Sequence, residues 1–166
     1  PTEPTTGLQK EIEIRLDPDE ARVEIRHRLI NHNLFAVTCA PWALSVMAEG
    51  GTAIVPQPPY KSHGESLLPA STIVLWPYTN MADPRWTWGN EYVLLDQDSG
   101  AASSQKAGFS SHSGWVAYAR EPHLFVKTIQ PQPDALYPDM NSSIELFTNA
   151  DILEVETLAP LAAILP

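Results

Sequence analysis

The chain has 166 residues, of which 43% are hydrophobic and 18% charged, with 16 Pro, 8 Gly and one cysteine, Cys39; the length suits one domain spanning 1–166, and the apolar fraction suffices for a packed core. A net charge of -10 repels the phosphate backbone that any nucleic-acid binder must neutralise, so neither DNA nor RNA is an expected partner. The lone thiol rules out an internal disulfide or a multi-cysteine zinc site, and no run approaches the roughly 18 apolar residues of a membrane-spanning helix, so no membrane partner is expected.

From Lys10 to Leu16 the residues alternate, with Ile12, Ile14 and Leu16 on one side and Glu11, Glu13 and Arg15 on the other. That is the period-2 signature of a half-buried strand. Asp17-Pro18-Asp19 makes a turn, and Val23, Ile25, His27 and Leu29 repeat the pattern against Glu24, Arg26 and Arg28, which predicts an antiparallel hairpin with His27 as a core histidine. Further short runs follow at 34–38, 42–47, 52–55, 71–76, 91–95, 115–119, 124–129, 144–148 and 152–158, each rich in Val, Ile, Leu or aromatics. Gly50-Gly51, the segment 97–104, Glu121-Pro122 and the segment 131–138 separate them. No dozen residues hold a helical period, so the prediction is an all-β chain folded as an antiparallel sandwich or barrel.

Long connections on a sheet scaffold are where sites sit. The segment 77–90 carries Tyr78, Asn80, Asp83, Arg85, Trp86 and Trp88, a mixture suited to a carbohydrate, whose CH faces pack on rings while its hydroxyls want planar hydrogen-bonding partners. With Trp76 just before that loop, Asp83, Arg85 and Trp86 are candidate sugar contacts; the competing reading is that Trp86 and Trp88 cover the end of the sandwich. Glu154 and Glu156 share one strand face while Leu153 and Val155 take the other, and Glu145 is similarly placed in 144–148. They are candidates for acid/base work, or else members of a solvated outer face. Lys106 and Lys127 are placed to pair with a substrate phosphate or with one of these glutamates. The histidines His27, His32, His63, His112 and His123 show no metal-ligand spacing. A hydrolase elbow begun at Gly108 would need glycine where His112 stands, and Cys39 reads as an inert core thiol.

Taken together, Ala40-Pro41-Trp42-Ala43-Leu44, Leu75-Trp76-Pro77-Tyr78-Thr79, Asp83-Pro84-Arg85-Trp86, Gly114-Trp115-Val116-Ala117-Tyr118, Phe147-Thr148-Asn149 and the segment 153–160 resemble a group of bacterial proteins related to galactose mutarotase (aldose 1-epimerase). The resemblance implies a large twisted β-sandwich that binds a sugar on a concave sheet face. It also implies that Glu156 or Glu154 is the counterpart of the glutamate that acts as general base on the anomeric hydroxyl, with no metal or redox cofactor required. None of the five histidines stands in a motif matching that enzyme's acid, so the acid is left open between a histidine and Lys127. The opening Pro1-Thr2-Glu3-Pro4 and the close at Leu165-Pro166 lead to the expectation of a piece of a longer chain. Three readings follow: a mutarotase-like domain acting on an aldose or sugar derivative, a non-catalytic carbohydrate-binding module, and a structural sandwich of a larger protein. The scarcity of cations favours a neutral or cationic sugar over a phosphosugar.

Overall fold

A computed structural model describes every residue from Pro1 to Pro166. The elements run Leu8–Leu16 (β1), Val23–Asn31 (β2), Val37–Cys39 (β3), Trp42–Met47 (β4), Thr52–Pro56 (β5), Ile73–Leu75 (β6), Trp86–Trp88 (β7), Tyr92–Asp96 (β8), Gln105–Phe109 (β9), Trp115–Arg120 (β10), His123–Thr128 (β11), a one-turn helical segment Pro138–Asn141 (α1), Ile144–Thr148 (β12), Leu153–Leu158 (β13) and Ala162–Ile164 (β14). All strand pairs are antiparallel. Two five-stranded sheets, β11-β10-β5-β8-β7 and β4-β13-β12-β9-β6, make a sandwich, with β1-β2 and β14-β3 as separate two-stranded ribbons.

The core follows from strand alternation. Val55, Val93, Leu95, Val116 and Tyr118 of the first sheet meet Ala107, Phe109, Ile144, Leu146, Leu153 and Val155 of the second in one buried cluster. Because successive side chains point to opposite faces, burying Leu153 and Val155 obliges Glu154 and Glu156 to take the outward face of their sheet. Burying Ile144 and Leu146 does the same for Glu145.

Three strands are not legible in the sequence. β7 lies within the segment that reads as a loop, β14 follows the prolines near the end, and β9 is Gln105-Lys106-Ala107-Gly108-Phe109, poor in strand formers. β9 exists because tertiary pairing overrides propensity: it lies between β12 and β6, and all five of its residues are buried. Gln105 is tolerated inside because its Oε1 accepts from the Asn80 N–H at 2.9 Å and from Trp86 Nε1 at 3.1 Å.

The hairpin β1-β2 forms with Ile14 opposite Ile25 and Leu16 opposite Val23, but the expectation that its apolar face is half-buried is corrected. No further strand pairs with the ribbon, and Ile12, Ile14, Leu16, Val23 and Ile25 are all more than half exposed. His27 shares that exposure and is not a core histidine, and Cys39 is only partly buried.

Candidate functional site

The outward face of β4-β13-β12-β9-β6 carries a charge cluster built by register. Glu145 on β12 stands directly opposite Glu156 on β13 and, on its other side, opposite Gly108 on β9; Glu156 in turn faces Leu44 on β4. Lys106 rises from β9 on the same face, two residues before Gly108, and its Nζ reaches Glu145 Oε2 at 2.8 Å and Glu156 Oε1 and Oε2 at 3.1 and 3.0 Å. Trp42 at the start of β4 donates its indole N–H to Glu156 Oε2 at 2.7 Å. The Lys106 ammonium also lies over two rings, 5.2 Å from the centroid of Trp42 and 4.8 Å from that of Trp76, so a cation–π contact on each side adds to its ion pairs.

Gly108 makes room for this arrangement. A Cβ there would fall 2.3 Å from Ser142 Oγ, so any side chain would have to displace the Ser142 side chain just before β12, while the Trp76 ring at 3.4 Å lies in ordinary contact.

The cluster is withdrawn from water although it sits on an outer face. Side-chain exposure is 9% for Lys106, 1% for Glu145 and 0% for Glu156. Burial pushes the Lys106 amine down, but its hydrogen bonds and charge contacts with Glu145 and Glu156 outweigh that and hold it above the ordinary lysine value. Burial also raises the Glu145 carboxyl, which Lys106 pulls down again in part while Glu156 and Asp139 add to the rise; the result is about 7. Glu154, on the same strand face as Glu156, is opposite Phe147 and Val46 and is raised chiefly by burial. Tyr78, from the loop after β6, is raised by burial and senses all three charges.

The sequence candidates therefore separate. Glu156, Glu145 and Trp76 come together, with Glu154 on the adjoining row of the same face. Lys127 lies elsewhere: its Nζ donates to Ala43 O at 2.8 Å, Ser45 Oγ at 3.1 Å and Val155 O at 3.2 Å, and burial lowers it to about 8. Asp83, Arg85 and Trp86 lie apart from this cluster and are engaged with the protein itself. The Arg85 guanidinium grips both Asp83 oxygens at 2.9 Å and Ser103 O at 2.7 Å, and the side chain is only 6% exposed. Trp86 is a core residue, stacked on Trp88 with centroids 4.8 Å apart. These contacts tie the loop before β7 to the approach to β9.

Trp42, absent from the sequence candidates, contributes the one neutral hydrogen bond to Glu156. Its signal is its even spacing from Leu44 and Val46, which puts it on the outward face of β4, but only the β4-β13 register aligns it with Glu156. Lys106 stands out in the sequence as a rare cation, whereas the strand that carries it does not. No group of His, Cys, Asp and Glu is arranged to hold a metal ion. No family model, curated protein or solved structure matches the chain.

Proposed function

We propose that this chain is a carbohydrate-binding β-sandwich of the mutarotase type, in which Trp42 and Trp76 offer ring faces to a neutral sugar and the Glu156–Lys106–Glu145 cluster between them exchanges protons with it. One observation carries the reading: two carboxylates and a single ammonium lie between two tryptophans on the outward face of a sheet. Sugars present CH faces that pack on indoles and hydroxyls that bond carboxylates, and proton transfer needs a carboxyl whose pKa lies near the working pH. The motifs that resemble those of the mutarotase group, Leu75-Trp76-Pro77 and the segment 153–160 among them, point to the same reading. In it Glu156 is the base at the anomeric hydroxyl, Glu154 supports it from the adjoining row, and no metal or redox cofactor takes part.

A second reading, a carbohydrate-binding module without catalysis, is favoured by the complete burial of Glu156 and by its contacts with Lys106 on both oxygens and with Trp42. NMR exchange spectroscopy on glucose, galactose and their 6-phosphates separates the two. Accelerated interconversion of the α and β anomers, lost in Glu156→Gln, is the expected result. Saturation transfer to a sugar without exchange supports the module, and no binding of any of these sugars by the folded protein overturns both.

A further inference from the structure

The two faces of the β1-β2 ribbon are unlike. Its charged face is satisfied from within: Arg28 meets Glu11 at 3.1 Å, Arg26 meets Glu13 at 3.8 Å and Glu24 at 3.5 Å, and Arg15 meets Glu13 at 2.6 Å. The opposite face has no such partners. Cross-strand register sets Ile12 beside His27, Ile14 beside Ile25 and Leu16 beside Val23 there, with Lys10 beside Leu29 at the open end. Ile12, Ile14, Leu16, Val23 and Ile25 are 52% to 76% exposed. Together they present about 500–600 Å² of mostly apolar surface, the upper end of what a monomer leaves in water.

Two properties of the ribbon select a second copy of this chain as the cover. The first is its charge. Residues 8–31 hold five of the chain's ten Lys and Arg but six of its twenty Asp and Glu, so the ribbon is close to neutral and the rest of the chain carries nearly all of the net charge of -10. Two copies of so acidic a protein repel each other least when they meet ribbon to ribbon.

The second property is the order of groups along the aliphatic face. Lys10 stands at its open end, with one ion pair, a 3.6 Å contact with Glu3. At the closed end the turn carries Asp17, Asp19 and Glu20. Asp17 Oδ1 accepts from the Asp19 and Glu20 N–H groups, both at 3.0 Å, which fixes the turn and leaves Asp19 and Glu20 exposed. At about 3.3 Å per residue, Lys10 lies about 13 Å from Ile14 in one direction, and the turn begins about 10 Å from it in the other. A two-fold axis through the Ile14 and Ile25 pair therefore sets aliphatic groups on aliphatic groups and brings Lys10 of each copy to the acidic turn of the other. A parallel stack would set like charges together instead.

We propose that the chain forms a closed two-fold dimer through the aliphatic face of the β1-β2 ribbon, with the two ribbons stacked face to face and antiparallel. Counting both copies, the contact buries about 1,000–1,200 Å², the lower end of what a specific complex needs, which corresponds to micromolar association. One patch serves both partners, so the contact closes on itself and does not propagate. The charged faces of both ribbons stay in water. The dimer does not depend on the sugar-binding reading.

Sedimentation equilibrium of the full chain from about 1 to 200 μM is expected to show a monomer–dimer equilibrium with no larger species. Ile14→Glu puts an unpaired charge at the centre of the contact and is expected to weaken association by about a hundredfold or more. Lys10→Glu and Asp19→Lys each turn an attraction into a repulsion at both ends of the dimer, so each is expected to weaken it by about tenfold, and the two together to restore it. Arg28→Ala, on the charged face, is expected to leave it unchanged. All these positions are exposed, and the charge exchange carries the test if Ile14→Glu does not fold. A wild-type chain that stays monomeric, as it would if a different protein covered the ribbon, overturns the proposal. So does association that survives Ile14→Glu, that ignores the single charge reversals, or that grows into open polymers.

Discussion

Two regions of this molecule present charges and apolar groups on a sheet face, and they do so in opposite ways. On the hairpin β1-β2, Arg15 lies 2.6 Å from Glu13 and Arg28 lies 3.1 Å from Glu11, all with side chains 39% to 60% exposed, while Ile12, Ile14 and Ile25 on the other face are bare as well. On the sandwich, Lys106 makes contacts of similar length to Glu145 and Glu156, but with 9% exposure or less. Distance alone therefore does not rank these pairs. Water and counterions compete with the first set and not with the second, so the hairpin pairs contribute little however good their geometry, while each buried charge depends on its partner. The cause lies in the layers: the sandwich sheet has two tryptophans over its charges and a core beneath, and the hairpin has neither.

Lys106→Met is the largest test of this contrast. The thioether fills nearly the same volume, so the change removes charge and leaves little cavity. Glu145 and Glu156 would then face each other across the ladder with no cation, and breaking a buried pair in this manner costs about 3–5 kcal/mol. Urea unfolding at neutral pH is expected to register that loss, and adding Glu145→Gln to the variant is expected to recover part of it. A loss within about 1 kcal/mol would put the buried cluster in the same class as the surface pairs.

How far the sequence foretells this cluster depends on which residue is asked. Alternation in 144–148 and 152–158 is enough to place Glu145, Glu154 and Glu156 outward, because a strand that buries Leu153 and Val155 has no other choice. What alternation cannot give is the register between strands, and register is what sets Glu145 opposite Glu156 and brings Trp42 to its carboxylate. Lys106 is recognisable as a rare cation, but its strand is hidden by a Ser-rich approach and by Gly108, whose bareness is a tertiary requirement. Asp83, Arg85 and Trp86 are ambiguous for the complementary reason: an arginine, a carboxylate and an indole suit a ligand and suit one another equally well. The hairpin pairs as its pattern predicts yet stays unburied, since a period-2 pattern marks an apolar face without stating what covers it.

Lys127 gives an intermediate case: a partly buried cation held by neutral acceptors. Lys127→Met loses three hydrogen bonds but strands no opposite charge, so an effect of about 1–2 kcal/mol is expected, well below that of Lys106→Met. Its pH dependence has a definite sign. The amine titrates at about 8 in the folded chain against 10.5 ordinarily, so between those values the unfolded chain holds a proton that the folded chain has released. Stability from this group rises with pH across that window, and the burial penalty is complete below it. Unfolding free energies of wild type and Lys127→Met, compared from pH 7.5 to 10, are expected to diverge in favour of the wild type; parallel curves would mean that the amine is solvated.

The smallest effect belongs to the hairpin, and its smallness is the point. Arg28 is 58% exposed and meets Glu11 at 3.1 Å, a length that on the sandwich face marks an indispensable contact. Arg28→Ala is expected to change stability by no more than about 0.5 kcal/mol, because bulk water offers both partners nearly what they offer each other. Raising the salt to about 1 M, which shortens the screening length to about 3 Å, is expected to remove even that difference. The Lys106→Met loss should persist at the same salt, since ions do not enter between Trp42 and Trp76. A loss above about 1 kcal/mol in Arg28→Ala, resistant to salt, would mean that a further layer covers the ribbon and shields its charges. The charged face of the ribbon would then be an interface as well, and the two regions would obey the same rule after all.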